Sequence, residues 1–156
     1  MSQFRVEKQR AEAELTLSSG ESLRGWFFVA PSSATHDGPE RVADLLNIEA
    51  GFFPFESVDS DDTVLVNRSH LVTARLLDAP DEARLEPGYG VARARRVVMK
   101  LSNRMVLRGT VRVYCPAGRD RLSDYARSPQ MFRYLESPDG TFVVNSHHIV
   151  ELSEIA

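Results

Sequence analysis

Cysteine is nearly absent from this sequence, which has a single thiol, Cys115, among 156 residues. One thiol cannot form an internal disulfide, which excludes the small disulfide-stapled domains and is typical of a reducing compartment. No apolar run approaches the ~18 residues that a membrane-spanning helix requires. The amino end has early cations but no apolar segment behind them, so it does not resemble a secretory signal. We therefore expect a cytoplasmic protein without a membrane partner.

Lysine is also scarce, at two residues, and the net charge is only −3. This small net charge hides an asymmetry. Residues 1–78 hold seven Lys or Arg against thirteen Asp or Glu, whereas residues 79–156 hold twelve against nine. Acidic residues are missing altogether between Pro87 and Arg119. These balances argue against a protein dominated by nucleic-acid or membrane electrostatics, but they leave room for a local basic surface in the second half.

The remaining composition is that of a folded globular protein, with 42% hydrophobic and 26% charged residues. The length suits one domain or two small ones. Residues 78–90 are rich in proline, glycine and acids, which is typical of a linker. We therefore predict a first repeat over residues 1–77, a linker over 78–90 and a second repeat over 91–156.

The two halves of the sequence repeat each other block by block. The matching blocks are 17–25 with 101–109, 41–44 with 121–124, 52–56 with 132–136, and 63–72 with 141–150. The offset falls from 84 to 80 to 78 along the chain, so the changes in length lie in polar connections. Order, spacing and residue types all agree, which predicts a tandem duplication.

Alternating apolar residues predict a β-hairpin at the start of each repeat. The first hairpin turns at Ser18–Gly20 and the second at Ser102–Arg104. Gly20 adopts a positive φ without strain. At the second turn we expect Asn103 to take the left-handed conformation, because Arg104 adopts it only at a cost.

Each hairpin is followed by one predicted helix and three predicted strands. In the first repeat Asp37–Gly38 caps the helix, Pro39 lies in its first turn, and Val42, Leu45 and Leu46 share one face. The second helix runs from Arg121 to Ser128, with Leu122 and Tyr125 facing inward, and stops at Pro129. The predicted strands are Phe52–Glu56, Thr63–Asn67 and Leu71–Leu76, then Met131–Glu136, Thr141–Asn145 and Ile149–Leu152.

The predicted fold class is mainly β (α+β), with two tandem small antiparallel β-barrel-like repeats, each β-β-α-β-β-β. A unit of about 60–65 residues is only marginally stable by itself. Packing two units together covers strand edges and buries more surface. We therefore expect the repeats to form a pseudo-dimer about a pseudo-twofold axis.

The hairpin motif Leu-x-x-Gly-x-x-Leu-x-Gly over residues 17–25 is similar to the first motif of the Sm-like small barrels. Residues 66–72 and 144–150 are similar to their second motif, which contacts RNA in that family. The helix departs from that family, where it precedes the first strand. The whole pattern, from hairpin to terminal Asn-x-x-His, more closely resembles a duplicated bacterial domain family of unknown function, and this resemblance implies no activity.

Two features are candidates for binding a protein partner. An Arg-x-x-Asp pair recurs as Arg41 with Asp44 and as Arg121 with Asp124. Each pair either grips a partner or forms an ordinary helix ion pair, and the second interpretation is favoured. The second feature is the aromatic pair Trp26 and Phe28, which alternates with inward residues and needs a second burial partner, either within the chain or outside it.

Two other features are candidates for binding nucleic acid. Asn67 with His70, and Asn145 with His148, occupy the last tight turn of each repeat, although Asn suits such a turn without any ligand. Lys100, Arg108 and Arg112 form a possible basic stripe. Charge complementarity with the acidic first repeat explains this stripe equally well, and it lacks interleaved aromatic residues for stacking bases.

No pattern of catalytic residues, phosphate-binding glycines or metal ligands is found, so we expect no enzymatic activity, no cofactor and no metal. The leading hypothesis is a non-enzymatic interaction module, an adaptor or scaffold that binds another protein or associates with itself. The alternative is an Sm-like RNA- or DNA-binding protein. A third hypothesis is a sensor that binds a small ligand between the repeats.

Overall fold

The computed structural model describes residues 9–31, 38–48, 50–60, 62–79, 81–116 and 118–155. Across these ranges the chain forms ten antiparallel strands and two short helices, so the mainly β prediction is confirmed. The first half contains β1 (Gln9–Leu17), β2 (Ser22–Val29), α1 (Val42–Ile48), β3 (Phe52–Ser57), β4 (Thr63–Asn67) and β5 (Leu71–Leu76). The second half contains β6 (Arg93–Leu101), β7 (Val106–Val113), α2 (Leu122–Ala126), β8 (Phe132–Ser137), β9 (Gly140–Asn145) and β10 (Ile149–Glu154). Short 3-10 helices lie at Arg68–His70, Glu82–Leu85 and Ser146–His148.

The two hairpins form where the alternation predicts them. In β1 the odd-numbered Ala11, Ala13 and Leu15 are buried, and in β2 Phe27 is buried between more exposed neighbours. Successive side chains of a strand point to opposite faces, so this alternation places one face of each hairpin on the core. Phe27 stacks there on Phe53, with ring centroids 5.4 Å apart.

The first helix begins later than predicted, and the second is shorter than predicted. Helix α1 begins at Val42, so Pro39 precedes it rather than lying in its first turn. Asp37 lies outside the described residues. Helix α2 covers five residues and ends before Pro129, and the backbone N–H of Arg121 donates to Asp124 at its start.

The second hairpin turn corrects one expectation. Arg104, not Asn103, takes the left-handed conformation, with φ of 72°. The side chain of Asn103 instead accepts a hydrogen bond from the backbone N–H of Met105, at 3.1 Å. Asn103 therefore stabilises the turn as an acceptor, and Arg104 carries the backbone strain.

All ten strands belong to one sheet in the order β10-β6-β7-β8-β9-β5-β1-β2-β3-β4. The sheet is not closed into a barrel, so β10 and β4 each have one strand edge that pairs with no other strand of the described chain. Within each half the strand order is the same: the last strand lies outside the first, followed by the second, third and fourth.

The halves join through different strands, since β5 is the fifth strand of its half and β9 is the fourth of its own. A twofold axis would pair equivalent strands with each other. The expected pseudo-twofold arrangement is therefore wrong. The two halves follow one another head to tail.

The core also crosses this junction. One buried cluster contains most of the first half together with Phe132, Tyr134 and Val143 of the second half. The other cluster lies in the second half but takes in Val72 from β5. Each cluster thus includes side chains from both halves, so the junction contributes directly to the hydrophobic stabilisation of the fold.

Candidate protein-interaction surfaces

The junction between the halves is described first, because it shows how two strands from different halves of this sheet pair with each other. Strands β5 and β9 pair antiparallel, with Ala74 opposite Val143 and Leu76 opposite Thr141. These four side chains are buried. Continuous backbone pairing with both faces covered is the arrangement of a central strand pair, not of two loosely touching domains.

Asn145 and His148 both act at this junction. The Asn145 side-chain amide donates to the backbone carbonyl of Leu71, at 2.9 Å, and its oxygen accepts from the His147 N–H. The His148 Nε2 lies 2.7 Å from the backbone carbonyl of Ser69, and its Nδ1 lies 2.6 Å from the Ser102 hydroxyl. Because a carbonyl only accepts, Nε2 carries a proton.

Asn67 and His70 repeat this arrangement beside the open edge of β4. The Asn67 oxygen accepts from the Ser69 N–H at 3.1 Å, and the His70 Nδ1 lies 2.7 Å from the Ser18 hydroxyl. Within the described chain, no hydrogen bond is found for the Asn67 amide nitrogen or the His70 Nε2. The Asn145 amide and the His148 Nε2 join the two halves. The corresponding groups of Asn67 and His70, at the β4 end of the sheet, bind no acceptor among the described residues.

Arg41 and Asp44 lie inside the protein rather than on an open helix surface. The guanidinium of Arg41 donates to both Asp44 oxygens, at 2.8 and 3.0 Å, and its remaining nitrogen lies 3.0 Å from Glu86. Burial alone would lower the pKa of Arg41, but the hydrogen bonds to Asp44 and Glu86 outweigh it and raise the pKa. This pair ties α1 to the segment that connects the halves.

Glu82, in that connecting segment, was not predicted as a functional residue. Its buried carboxylate accepts from the Val42 N–H at 3.1 Å and from the Tyr134 hydroxyl at 2.7 Å. Burial raises the pKa of Glu82, and the bonds from Tyr134 and Val42 only partly offset this effect. Glu82 thus links the start of α1 to β8. Its sequence context, a run of acids and prolines, resembles a solvent-exposed linker.

Asn47 makes a second unforeseen link between the halves. Its side-chain amide donates to the backbone carbonyl of Phe132, and its oxygen accepts from the Phe132 N–H, both at 2.8 Å. The side chain thereby satisfies both backbone groups of Phe132. The only signal in the sequence is a polar residue near the end of an apolar helix.

The second Arg-x-x-Asp pair is more open than the first. Arg121 is exposed, its guanidinium lies 4.0 Å from Asp124, and Arg127 approaches the same carboxylate at 3.7 Å. The equivalent residues therefore have different environments: Arg41 is held in a buried network, whereas Arg121 is available at the surface.

Trp26 and Phe28 lie on the outer face of β2 and are half-buried. The guanidinium of Arg10 lies 4.8 Å from the Trp26 ring centroid and also bonds Glu56. This cation–π contact supplies part of the burial that the aromatic pair requires from within the chain. The rest of the aromatic face remains accessible.

The basic stripe is divided by contacts within the chain. Arg108 is exposed, but Lys100 pairs with Glu151 at 2.9 Å. Arg112 lies 4.1 Å above the Tyr89 ring and donates to its hydroxyl at 3.1 Å. The structure thus leaves Arg108 as the member of the stripe that faces solvent without an ion pair among the described residues.

The two end strands carry apolar side chains that face solvent. Leu65 on β4 is 69% exposed, Val150 on β10 is 67% exposed and Phe52, on the neighbouring β3, is 58% exposed. Backbone groups along an open strand edge are free to pair with another strand. Each end of the sheet therefore combines apolar surface with a backbone edge that pairs with no other described strand.

Residues 9–31, 38–48, 50–60, 62–79, 81–116 and 118–155 contain no group of three or more His, Cys, Asp or Glu side chains that could hold a metal ion. None of the helices in these ranges is long and apolar enough to cross a membrane. A cavity of about 110 Å³ lies between the connecting segment and the second half, with Glu86, Tyr125 and Arg133 in its wall.

Comparison of the chain with known proteins finds no matching family model, no matching curated protein and no matching solved structure. A proposal for its function therefore rests on the geometry of the junction and of the two sheet ends.

Proposed function

We propose that this chain is a non-enzymatic protein-interaction module, an adaptor or scaffold, built from two copies of one small β unit. The observation that carries the proposal is the pair of open sheet ends. Each has a backbone edge without a partner strand in the part of the chain that the structure describes, and an exposed apolar side chain, Leu65 on β4 and Val150 on β10. An uncovered edge of this kind favours addition of a strand from another protein.

The duplication is supported by the shared strand order and by the recurrence of the Asn and His pair in both halves. The pairing of β5 with β9 supports two fused units rather than two independent ones. Two of the polar groups with shifted pKa values, Arg41 and Glu82, hold elements of the fold together, which supports structural roles for these two residues. A reducing cytoplasm is the proposed compartment, in keeping with one exposed thiol at Cys115.

The proposal is tested by affinity purification of the tagged chain from its native cell after mild cross-linking. The wild type is compared with Leu65→Lys plus Val150→Lys, which places charges on both sheet ends, and with Trp26→Ala plus Phe28→Ala. We expect a defined protein, either this chain or another, to be retained by the wild type and lost from the double-lysine variant. Val91→Lys, at a 92% exposed position in the connecting segment, is the matched control.

Retention of no protein by the wild type contradicts the proposal. Retention that is lost only from the Trp26 and Phe28 variant moves the binding surface from the sheet ends to the aromatic face.

A second candidate function, binding of RNA or DNA by an Sm-like protein, is supported by one observation. Arg96 and Arg108 lie close to one another on the outer face of the β6–β7 hairpin, and neither has an ion pair among the described residues. Binding by such a surface weakens steeply with salt. Arg96→Gln plus Arg108→Gln is expected to lower affinity for mixed oligonucleotides and to reduce the salt dependence. Absence of binding by the wild type at low salt eliminates this candidate.

A further inference from the structure

The junction between the halves serves as a template for the two open ends of the sheet. Strand β9 is the fourth strand of its half and pairs with β5, the fifth strand of the other. At the ends of the sheet the same two kinds of strand each have one edge without a partner among the described strands: β4 is a fourth strand and β10 is a fifth. The two ends of the sheet are therefore complementary: β4 is the kind of strand that pairs with a fifth strand, and β10 is the kind that pairs with a fourth.

Three apolar side chains at the junction have apolar counterparts at the ends of the sheet. Phe132, Val143 and Val72 are fully buried at the junction. Their counterparts in the aligned repeats are Phe52, Leu65 and Val150, the exposed residues of the sheet ends. Equivalent apolar residues are thus covered where a neighbouring unit is present and uncovered where it is absent.

The polar contacts of the junction can also be repeated at the ends. Asn145 and His148 donate to the backbone carbonyls of Leu71 and Ser69. Their counterparts Asn67 and His70 have the same local partners in the turn but no acceptor across the edge among the described residues. In a neighbouring molecule, the carbonyls of Ile149 and His147 occupy the equivalent positions.

We propose that the occupant of each sheet end is a second copy of this chain, and that β4 of one molecule pairs antiparallel with β10 of the next. This inference rests on the proposed function and names the partner. The register follows from the junction, where Ala74 lies opposite Val143, and it places Leu152 of one molecule opposite Leu65 of the next. The interface is heterologous, so molecules add head to tail, and each addition leaves one β4 edge and one β10 edge open until a ring closes.

The charges of β10 do not oppose this pairing. Glu151 lies 2.9 Å from Lys100, and Glu154 lies 3.5 Å from Arg95. Both carboxylates are therefore neutralised by cations of β6 in the same molecule. Leu152 is the half-buried apolar residue between them.

The pairing is tested by disulfide cross-linking of the full chain in a Cys115→Ser background. Directly opposite residues of an antiparallel pair have Cα atoms about 4.5–5.5 Å apart, which suits a disulfide. We expect Leu65→Cys and Leu152→Cys, as separate proteins, to form a cross-linked species only when mixed. One chain carrying both substitutions should give a ladder of cross-linked multimers. Val91→Cys is the control for random collision.

Light scattering across a concentration series provides the second measurement. The wild type should exceed the 17.5 kDa of a single chain, and Leu65→Lys should return it to that mass while keeping the circular dichroism spectrum of the folded protein. Cross-links from Leu65→Cys alone would show β4 pairing with β4 and would overturn the proposal. A monomeric wild type without cross-links would also overturn it. If a foreign protein is still retained through the sheet ends, that result leaves the interaction module standing and removes only self-association.

Discussion

Several polar side chains in this protein join elements that lie far apart in the sequence. Glu82, Asn47 and Asn145 each satisfy backbone groups that belong to a distant part of the chain. Buried backbone groups that lose such partners carry a desolvation penalty of about 1–3 kcal/mol. Sequence reasoning identified Asn145 from its recurrence, but Glu82 and Asn47 have no local pattern, since their partners lie 40 and 85 residues away.

Asn145→Ala is expected to lower the free energy of unfolding by about 1–3 kcal/mol, because it removes both the turn cap and the donor to Leu71 across the junction. Asn67→Ala removes only the equivalent cap within the described chain and should cost about 0.5–1 kcal/mol. Urea unfolding of dilute protein measures the difference. Equal losses for the two variants would show that the junction bond contributes nothing.

The pH dependence of stability reports on Glu82. The pKa of this carboxyl is raised by burial above the ordinary 4.5, so the folded state binds its proton more tightly than the unfolded chain. The stabilisation from this protonation is complete below pH 4.5 and is lost as pH rises through the higher folded pKa.

The wild type should therefore lose stability relative to Glu82→Gln as pH rises from about 4 towards 8, because the glutamine does not titrate. Urea unfolding over that range measures the difference between the two proteins. Glu21→Gln, at an exposed position, controls for the loss of one carboxylate. A difference that is constant or grows in favour of the wild type would contradict the role given to Glu82.

Arg104→Gly is expected to stabilise the protein by up to about 1 kcal/mol. The left-handed conformation costs a non-glycine residue about 1–2 kcal/mol, and the greater flexibility of glycine in the unfolded chain cancels part of the gain. Thermal or urea unfolding measures the change. A destabilised variant would show that the Arg104 side chain contributes more than its backbone costs.

At the scale of the elements, the strands were predictable and the helix ends were not. The alternation of apolar residues located both hairpins, and Thr63–Asn67 and Leu71–Leu76 begin and end where predicted. The start of α1 was not predictable from Pro39, because the Val42 N–H is capped by Glu82 from the connecting segment. A distant side chain thus sets where the helix begins.

In both halves the close approach of two neighbouring strands, β2 to β3 and β7 to β8, depends on glycine. A Cβ at Gly25 would overlap the backbone carbonyl of Glu56, and one at Gly109 would meet that of Glu136. Gly25→Ala and Gly109→Ala should each lower the free energy of unfolding by about 1–3 kcal/mol, because backbone must shift to make room. Gly90→Ala, where a Cβ has open space, is the control. A loss no larger than that of the control would contradict the close approach.

At the scale of the whole molecule, the similarity between the halves predicts two copies of one unit, which stays a prediction, and it does not predict how the halves join. Sequence similarity between halves favours a symmetric pair, whereas the sheet joins a fourth strand to a fifth. The choice between these arrangements depends on which strand edges fit each other in three dimensions, and no local pattern in the sequence encodes that fit.

Neither residues 1–78 nor residues 88–156 should be stably monomeric when expressed alone. Phe132, Tyr134 and Val143 complete the core cluster of the first half, and Val72 contributes to that of the second. Circular dichroism and light scattering of the separate halves measure folding and mass. Two well-folded monomeric halves would contradict the interlocked core.

The central claim is that both ends of the sheet are protein-binding edges that a second copy of the chain covers. Hydrogen–deuterium exchange of the backbone amides of β4 and β10, measured at high and low protein concentration, tests this claim most directly. The account predicts slow exchange in both strands at high concentration and faster exchange on dilution, while β5 and β9 stay protected throughout. Exchange in β4 and β10 that is equally fast at every concentration would contradict it.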